Sequence, residues 1–148
     1  MTGVPLFPTG MVKQYHTLKP FMDDLDLSRF TFEQFKGQTK LRTKKFNNIL
    51  LHSEFEEVRN WIQECAEDFL DNVLQIEYEE FFFTDSWLNI SGKDGSQNFH
   101  NHSNSIISGT LYLQSEERHP PLEFRKQKME LEPYISLTKH YKKSNPNT

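Results

Sequence analysis

The apolar residues of this chain change their spacing near Gln75, and this change limits how the chain can fold. Between residues 54 and 74 they recur every three or four positions, as on one face of an α-helix. After Gln75, aromatic and β-forming residues dominate, and in places they alternate with polar ones, as in strands with one buried face. A helix comes first and a run of strands follows, which favours a sandwich or a barrel.

The predicted helix covers residues 54–74. Ser53 and Glu56 have the spacing of a capping box, in which each side chain accepts a backbone N–H of the first turn. One apolar stripe then consists of Phe55, Val58, Ile62, Cys65, Phe69 and Val73. The remaining face is largely charged, so we expect the stripe to pack against a sheet.

Strand candidates are bounded by glycine, proline and other turn-forming residues. The candidates are residues 78–83, 86–91, 98–102, 105–114 and 122–125. In the longest, Ile107, Leu111 and Leu113 fall on one face, and Tyr112 falls on the other. Near the start of the chain, prolines around Leu6 and Phe7 predict an extended entry strand over residues 3–9, whereas residues 21–46 have weak helical character.

These elements predict one domain over residues 1–148, mainly β with N-terminal helices. Residues 1–76 supply an extended segment and the packing helix, and residues 77–125 supply the barrel strands. Residues 126–148 are polar, as in a tail or loop.

The charge balance and the cysteine content exclude several classes of protein. The 148 residues include 17 basic and 21 acidic side chains, and this net charge of -4 is atypical of a general nucleic-acid binder. Cys65 is the single cysteine, so no intramolecular disulfide can form. The first residues lack the basic and apolar regions of a signal peptide, and no stretch is apolar enough for a membrane span. These features predict a cytoplasmic protein.

His100 and His102 are the strongest candidates for metal binding. On a strand, residues two apart point to the same side, so both imidazoles would project together. Imidazole suits iron, zinc, copper and nickel, although a bare pair also fits two surface histidines near a turn.

The residues around this pair form a longer string. It consists of Trp87, Asn89, Gly95, Gln97, His100, His102, Ser105, Ser108, Gly109, Tyr112 and Leu113. The string resembles a family of 2-oxoglutarate- and iron(II)-dependent oxygenases from bacteria and bacteriophages. The similarity covers about residues 5–125, and its most specific part is residues 86–113.

The resemblance implies a double-stranded β-helix, or jelly roll, that holds Fe(II) at its mouth. It places His100 at the first metal ligand and His102 where such enzymes usually have a carboxylate. It makes Asn89 and Tyr112 candidates to contact 2-oxoglutarate, although both Trp87 and Tyr112 also fit as core aromatics. The implied reaction is hydroxylation by O₂ with 2-oxoglutarate as co-substrate, and the primary substrate is unknown.

The sequence departs from the family pattern at several positions. A neutral His102 in place of a carboxylate brings the charge of the site with Fe(II) and dianionic 2-oxoglutarate from about -1 to near zero. Ser91 stands where related enzymes carry a tyrosine. The family's distal His and Arg segment has no match, since His119 and His140 lack its flanking residues. We therefore expect a jelly roll incomplete at its C-terminus, inactive as this chain alone and inclined to self-associate.

Two other functions fit parts of the pattern. A cupin-like metal protein also uses a His-x-His pair, but residues 103–110 contain none of the acidic residues that a cupin needs there. A non-catalytic β-barrel module would need no metal at all. A downstream Phe-Pro-Ser…His…Arg segment would distinguish the enzyme from that module.

Overall fold

A computed structural model of the chain describes residues 4–7, 10–34, 41–43, 48–92, 95–102, 105–115 and 122–124. Internal contacts divide the chain into two units. One comprises residues 1–18, 60–82 and 126–148, and the other comprises residues 19–59 and 83–125. Within the described ranges, no helix is long and apolar enough to cross a membrane.

The chain begins with an antiparallel hairpin in the first unit. Strand β1 (Val4–Phe7) pairs with β2 (Gly10–Val12), which confirms the predicted entry strand over its described part. The register shifts between Pro5 and Phe7. Proline has no N–H for a ladder, so a short two-stranded hairpin with an irregular register tolerates it.

The predicted helix is present, although its ends differ from a regular α-helix. Helix α1 (Glu56–Asp68) is preceded by a 3₁₀ turn (Ser53–Phe55) and followed by a π-helix (Phe69–Leu74). The predicted capping box is wrong. His52 is the N-cap, and Ser53 already lies in the 3₁₀ turn, where its hydroxyl donates to the Glu54 carboxylate at 3.3 Å.

The apolar stripe of this helix is only partly the predicted one. Phe55 and Val58 are buried, whereas the later members Ile62, Cys65, Phe69 and Val73 are half-buried. Ala66 and Leu70 are buried instead. An α-helix has 3.6 residues per turn, so burial that continues in steps of four residues moves gradually around the helix.

The helix ends at a residue in the left-handed region. Gln75 has φ 51°, and the N–H of buried Ile76 donates to the Leu70 carbonyl at 3.2 Å. The Gln75 N–H also donates to this carbonyl, so the cap is similar to a Schellman motif but one residue longer, since the last turn is a π-helix. Glycine is usual at such a position, so Gln75 adopts it at some cost in backbone strain.

Asp68 joins the N-terminal segment to the helix within the first unit. Its carboxylate accepts hydrogen bonds from Lys13, from the Tyr15 hydroxyl at 2.5 Å and from Asn72 at 3.0 Å. These donors hold the pKa of Asp68 well below its usual range, and the hydrogen bond from the Lys13 ammonium is the largest cause. Burial raises the pKa of Tyr15, and the hydrogen bond to Asp68 raises it further.

The second unit contains a three-stranded antiparallel sheet of order β3-β4-β5. The strands are β3 (Phe32–Gln34), β4 (Leu41–Thr43) and β5 (Asn89–Ile90). The helical character expected for residues 21–46 is therefore wrong, because only a 3₁₀ turn (Phe21–Asp23) is helical among the described residues there. Pairing between distant segments overrides weak local preference.

Aromatic side chains form the core of the second unit. Phe30 packs edge to face on Phe55, with ring centroids 5.6 Å apart, and on His52 at 5.7 Å. Phe55 is 1% exposed. The other buried apolar side chains of this unit are Phe21, Ile49, Leu50 and Val58.

Among the described residues, most of the strands predicted after residue 77 do not form. Of residues 86–91 only Asn89 and Ile90 are a strand, and the described residues of the four other candidates make no ladder. The predicted alternation in side-chain exposure is present even though no ladder forms. Ile107, Leu111 and Leu113 are half-buried, whereas Tyr112 is 53% exposed. Extended backbone becomes a sheet only when a neighbouring strand pairs with it. Small antiparallel sheets with one α-helix are still consistent with the mainly-β class.

Replacing Phe55 by alanine should lower the free energy of unfolding by about 3 kcal/mol, because the change leaves a cavity beside Phe30. Urea unfolding followed by circular dichroism measures the effect. The matched control is Phe82→Ala, since Phe82 is 73% exposed and its loss should cost less than about 0.5 kcal/mol. Equal losses in the two variants would contradict a core centred on Phe55.

Replacing Asp68 by asparagine should destabilise the protein by about 1 kcal/mol at neutral pH, because a partly exposed carboxylate loses its charge-assisted bonds. The folded-state pKa of Asp68 is lowered, so its contribution is complete above the ordinary value of about 4. This contribution to the free energy of unfolding disappears as the pH falls from about 4 toward the folded-state pKa of Asp68. Urea midpoints of wild type and variant should therefore converge in acid, and exposed Glu64→Gln should show no such trend.

Candidate functional site

A junction between two distant segments positions the residues of the candidate site. Asn48 adopts the left-handed region with φ 62°, and its side chain accepts from the Ser86 hydroxyl at 2.8 Å and donates to the Phe83 carbonyl. The Leu50 N–H donates to the Ser86 hydroxyl at 3.0 Å. Asparagine tolerates positive φ better than most residues, so it suits this turn. The junction fixes the segment that leads into β5.

The pairing of β4 with β5 continues from this junction. Buried Thr43 donates its N–H to the Leu88 carbonyl at 3.1 Å, and its hydroxyl accepts the Leu88 N–H at 3.3 Å. Beyond it, Arg42 lies directly opposite Asn89. Opposite residues of an antiparallel pair project to the same face, and so do residues two apart on one strand. Arg42, Trp87 and Asn89 therefore share a face.

Arg42 and Trp87 form a stacked pair on this face. The guanidinium carbon lies 4.2 Å from the centroid of the indole ring, a favourable cation–π distance. Arg42 also lies 3.7 Å from the Asp85 carboxylate. Trp87 is half-buried rather than a fully buried core aromatic. No sequence pattern predicted a role for Arg42, although the spacing of Trp87 and Asn89 could have indicated that these two share a face.

The structure brings His100 and His102 together beside this pair. Their ring centroids are 5.0 Å apart with an interplanar angle of 74°, and the His102 ring lies 5.5 Å from Trp87. Residues 98–102 form no strand, so the proximity does not come from strand geometry. Successive contacts thus connect Arg42, Trp87, His102 and His100.

The hydrogen bonds of His100 determine which ring nitrogen can bind a metal. Nδ1 lies 2.8 Å from the Asn98 carbonyl oxygen, and a carbonyl only accepts, so Nδ1 carries the proton. In the neutral ring Nε2 then has the lone pair. The Gln97 amide nitrogen lies 3.0 Å from Nε2 and 3.3 Å from Nδ1, so it lies beside the ring and not along this lone pair. Metal-binding histidines commonly donate their other N–H to a carbonyl in this way.

The surroundings of His102 favour its neutral form. Burial lowers the pKa of His102, and the nearby His100 and Arg42 lower it further, whereas Asp85 opposes them. A metal binds the neutral imidazole, so a lowered pKa keeps the ring available for a metal at neutral pH.

The other two candidate residues lie apart from this histidine contact. Asn89 is exposed on β5 opposite Arg42, and Tyr112 lies in segment 105–115, which forms no helix or strand. Among the described residues, neither makes a hydrogen bond or ring contact to the histidines. No group of three His, Cys, Asp or Glu side chains able to hold a metal occurs within those residues either. The histidine pair thus offers two ligands.

A comparison with protein families finds a match for the later part of the chain. A family model described as "Putative 2OG-Fe(II) oxygenase" matches residues 85–148, less than half of the chain. The matched segment contains Trp87, Asn89 and both histidines, and it extends through residues 126–148, beyond the similarity found from the motif. A comparison with curated proteins and one with solved structures find no match.

His102 should titrate below the ordinary histidine pKa of about 6.5, because partial burial of its ring, and then the nearby His100 and Arg42, disfavour its charged form. In His100→Gln the midpoint should move upward, but only partly, since burial is the larger cause. The pH dependence of the imidazole resonances in NMR spectra measures both. A His102 midpoint at or above the ordinary value would contradict this description, and exposed His16→Gln serves as the control.

Proposed function

We propose that the chain is an Fe(II)- and 2-oxoglutarate-dependent oxygenase of the hydroxylase type, with His100 and His102 as two of its metal ligands. The observation that carries the proposal is the contact of these rings, 5.0 Å apart, with the Nδ1–H of His100 donating to a carbonyl. The family match over residues 85–148 supports the same chemistry.

The donor set fits Fe(II) in part. Neutral imidazole is a normal ligand for this ion, and both histidines occupy positions where the neutral ring can form. Two protein ligands leave several positions of an octahedral ion for a further ligand, a chelating co-substrate and O₂. When bound, iron and 2-oxoglutarate supply the oxidising chemistry, in which one atom of O₂ enters the substrate and the other enters succinate with release of CO₂.

The residues of this chain contribute binding and orientation. The Asn98 carbonyl fixes the tautomer of His100 and leaves the Nε2 lone pair for a metal. The indole of Trp87 lies against the ring of His102, although both histidines are exposed. Rings held by such contacts lose less freedom on binding a metal than two mobile side chains would.

The same proposal includes a double-stranded β-helix. The alternating exposure of the side chains of residues 106–113 supports it, since such alternation is typical of a barrel strand with one buried face. Asn89 remains our candidate to contact 2-oxoglutarate from β5, and Tyr112 is a weaker candidate because its ring is largely exposed.

Anaerobic titration with Fe(II) tests the proposal. His100→Ala and His102→Ala should each weaken binding by at least the roughly 10–100-fold that follows loss of a group supporting a metal ligand. His16→Ala, a change at an exposed histidine, should bind as wild type does. Equal affinity of wild type and His100→Ala would remove His100 from the site. Failure of the wild type to bind any divalent metal would instead favour a non-catalytic β-barrel module.

A further inference from the structure

The segment that carries the histidine pair has no charged side chain. Residues 95–115 contain no Asp, Glu, Lys or Arg, although these four types make up 26% of the chain. The described residues of this segment are mostly exposed, so the lack of charge belongs to a surface and not to a core. Phe99, Ile106 and Tyr112 add apolar side chains to it, each between 52% and 55% exposed. Exposed apolar side chains without charged neighbours are typical of the centre of a protein–protein interface.

The histidines on this surface are accessible to a second molecule. Both rings are exposed. The Nδ1–H of His100 donates to the Asn98 carbonyl at 2.8 Å, so the lone pair is on Nε2, the ring nitrogen farther from the backbone. A ligand from another chain can therefore reach an ion that is held at this nitrogen.

The pair supplies half of the ligands of a four-coordinate site. Sites that hold an ion such as zinc permanently use four protein ligands in a tetrahedral arrangement. Among the residues that the structure describes, no group of three His, Cys, Asp or Glu side chains able to hold a metal occurs. A two-fold axis would bring two identical pairs together, and the two pairs make four imidazoles. An identical chain can thus supply the other half of the site.

The lack of charge favours a second copy over a charged partner. At a two-fold interface, each residue near the axis faces its own copy, so a charged side chain there would meet the same charge. Like charges that face each other across an interface are costly. Residues 95–115 carry no charge of either sign, so two copies of this surface do not repel each other. The surface also offers nothing that would attract a strongly acidic or basic partner.

We propose that His100 and His102 of two copies hold one divalent metal ion between them, with the uncharged segment 95–115 as the contact surface. The inference rests on the proposed function only in taking both histidines as metal ligands. Stable interfaces bury at least roughly 1,200 Å², and this segment is short, so contact alone leaves the chains monomeric. The oligomeric state of the chain therefore depends on the metal.

The dimer and the co-substrate compete for the same ion. A 2-oxo acid chelates a metal through two oxygen atoms, and the histidine pair of the second copy occupies two positions as well. On a four-coordinate ion, one of them excludes the other. By thermodynamic linkage, a chelating co-substrate shifts the dimer toward a monomer that still holds the metal.

Titration of the full chain with Zn(II), followed by light scattering and sedimentation, tests the shared ion. The metal-free chain should be a monomer. The dimer fraction should be largest near one ion per two chains and should fall in excess zinc, because each pair can then hold an ion of its own. His100→Ala and His102→Ala should each abolish the zinc-dependent dimer, since each removes two of the four imidazoles. His16→Ala, at an exposed histidine outside the segment, should dimerise as wild type does.

Ile106→Lys provides an independent test that leaves both histidines in place. Ile106 is 55% exposed, so a lysine there adds a charge to each copy without opening a cavity. Zinc-dependent dimerisation should weaken by at least roughly tenfold, because like charges then face each other across the contact. Phe82→Lys is the matched control, since Phe82 is 73% exposed and lies in the other unit. An Ile106→Lys protein that dimerises as wild type does would overturn segment 95–115 as the contact surface.

The outcomes separate this inference from the proposed function. A chain that binds one zinc ion and stays monomeric at every ratio would overturn the shared ion and leave the oxygenase proposal standing. A dimer that persists in excess zinc, with one ion per chain, would overturn it too.

The last measurement adds 2-oxoglutarate to the zinc-bridged dimer, with succinate as the control because it lacks the 2-oxo group. Dissociation by 2-oxoglutarate alone, with zinc still bound to the chain, is the expected result. A zinc-bridged dimer that neither acid affects would support the shared ion and count against the proposed function.

Discussion

The candidate site depends on the hydrogen bonds by which Asn48 and Ser86 join two distant segments. Both side chains satisfy backbone groups of the other segment, and the buried Thr43 continues the connection to Leu88. β5 has only two residues, and a pairing so short contributes little by itself. The junction therefore holds Trp87 beside Arg42, and the stacked indole in turn lies against His102.

The sequence predicted the local elements well and the non-local ones poorly. The helix over residues 54–74 follows from a regular apolar spacing, and the entry strand follows from prolines that favour extended backbone. The short strands β3 and β4 were missed, because their pairing with each other and with β5 depends on residues far away in the chain. The alternation in residues 105–114 correctly predicted which side chains are exposed, but alternation alone does not supply a partner strand.

In the candidate site too, the sequence predicted the local contact and missed the contacts between distant residues. The spacing of His100 and His102 indicated two rings in proximity, and the structure brings them together. No pattern in the sequence could relate Arg42 to Trp87, since 45 residues separate them and β4 has no clear strand signal. The bonds of Asp68 to Lys13 and Tyr15 were equally hidden, because charged helix residues usually face solvent.

The sequence distance between Asn48 and Ser86 has a consequence for the order in which the chain folds. Helix formation takes about a microsecond or less, whereas joining these residues requires closure of a long loop at an entropic cost. Helical residues 53–74 lie inside that loop and are already ordered once the helix has formed, so fewer residues remain to be restricted when the loop closes. The helix should thus form early, and the face that carries Arg42, Trp87 and Asn89 should assemble late, as the slowest step of folding.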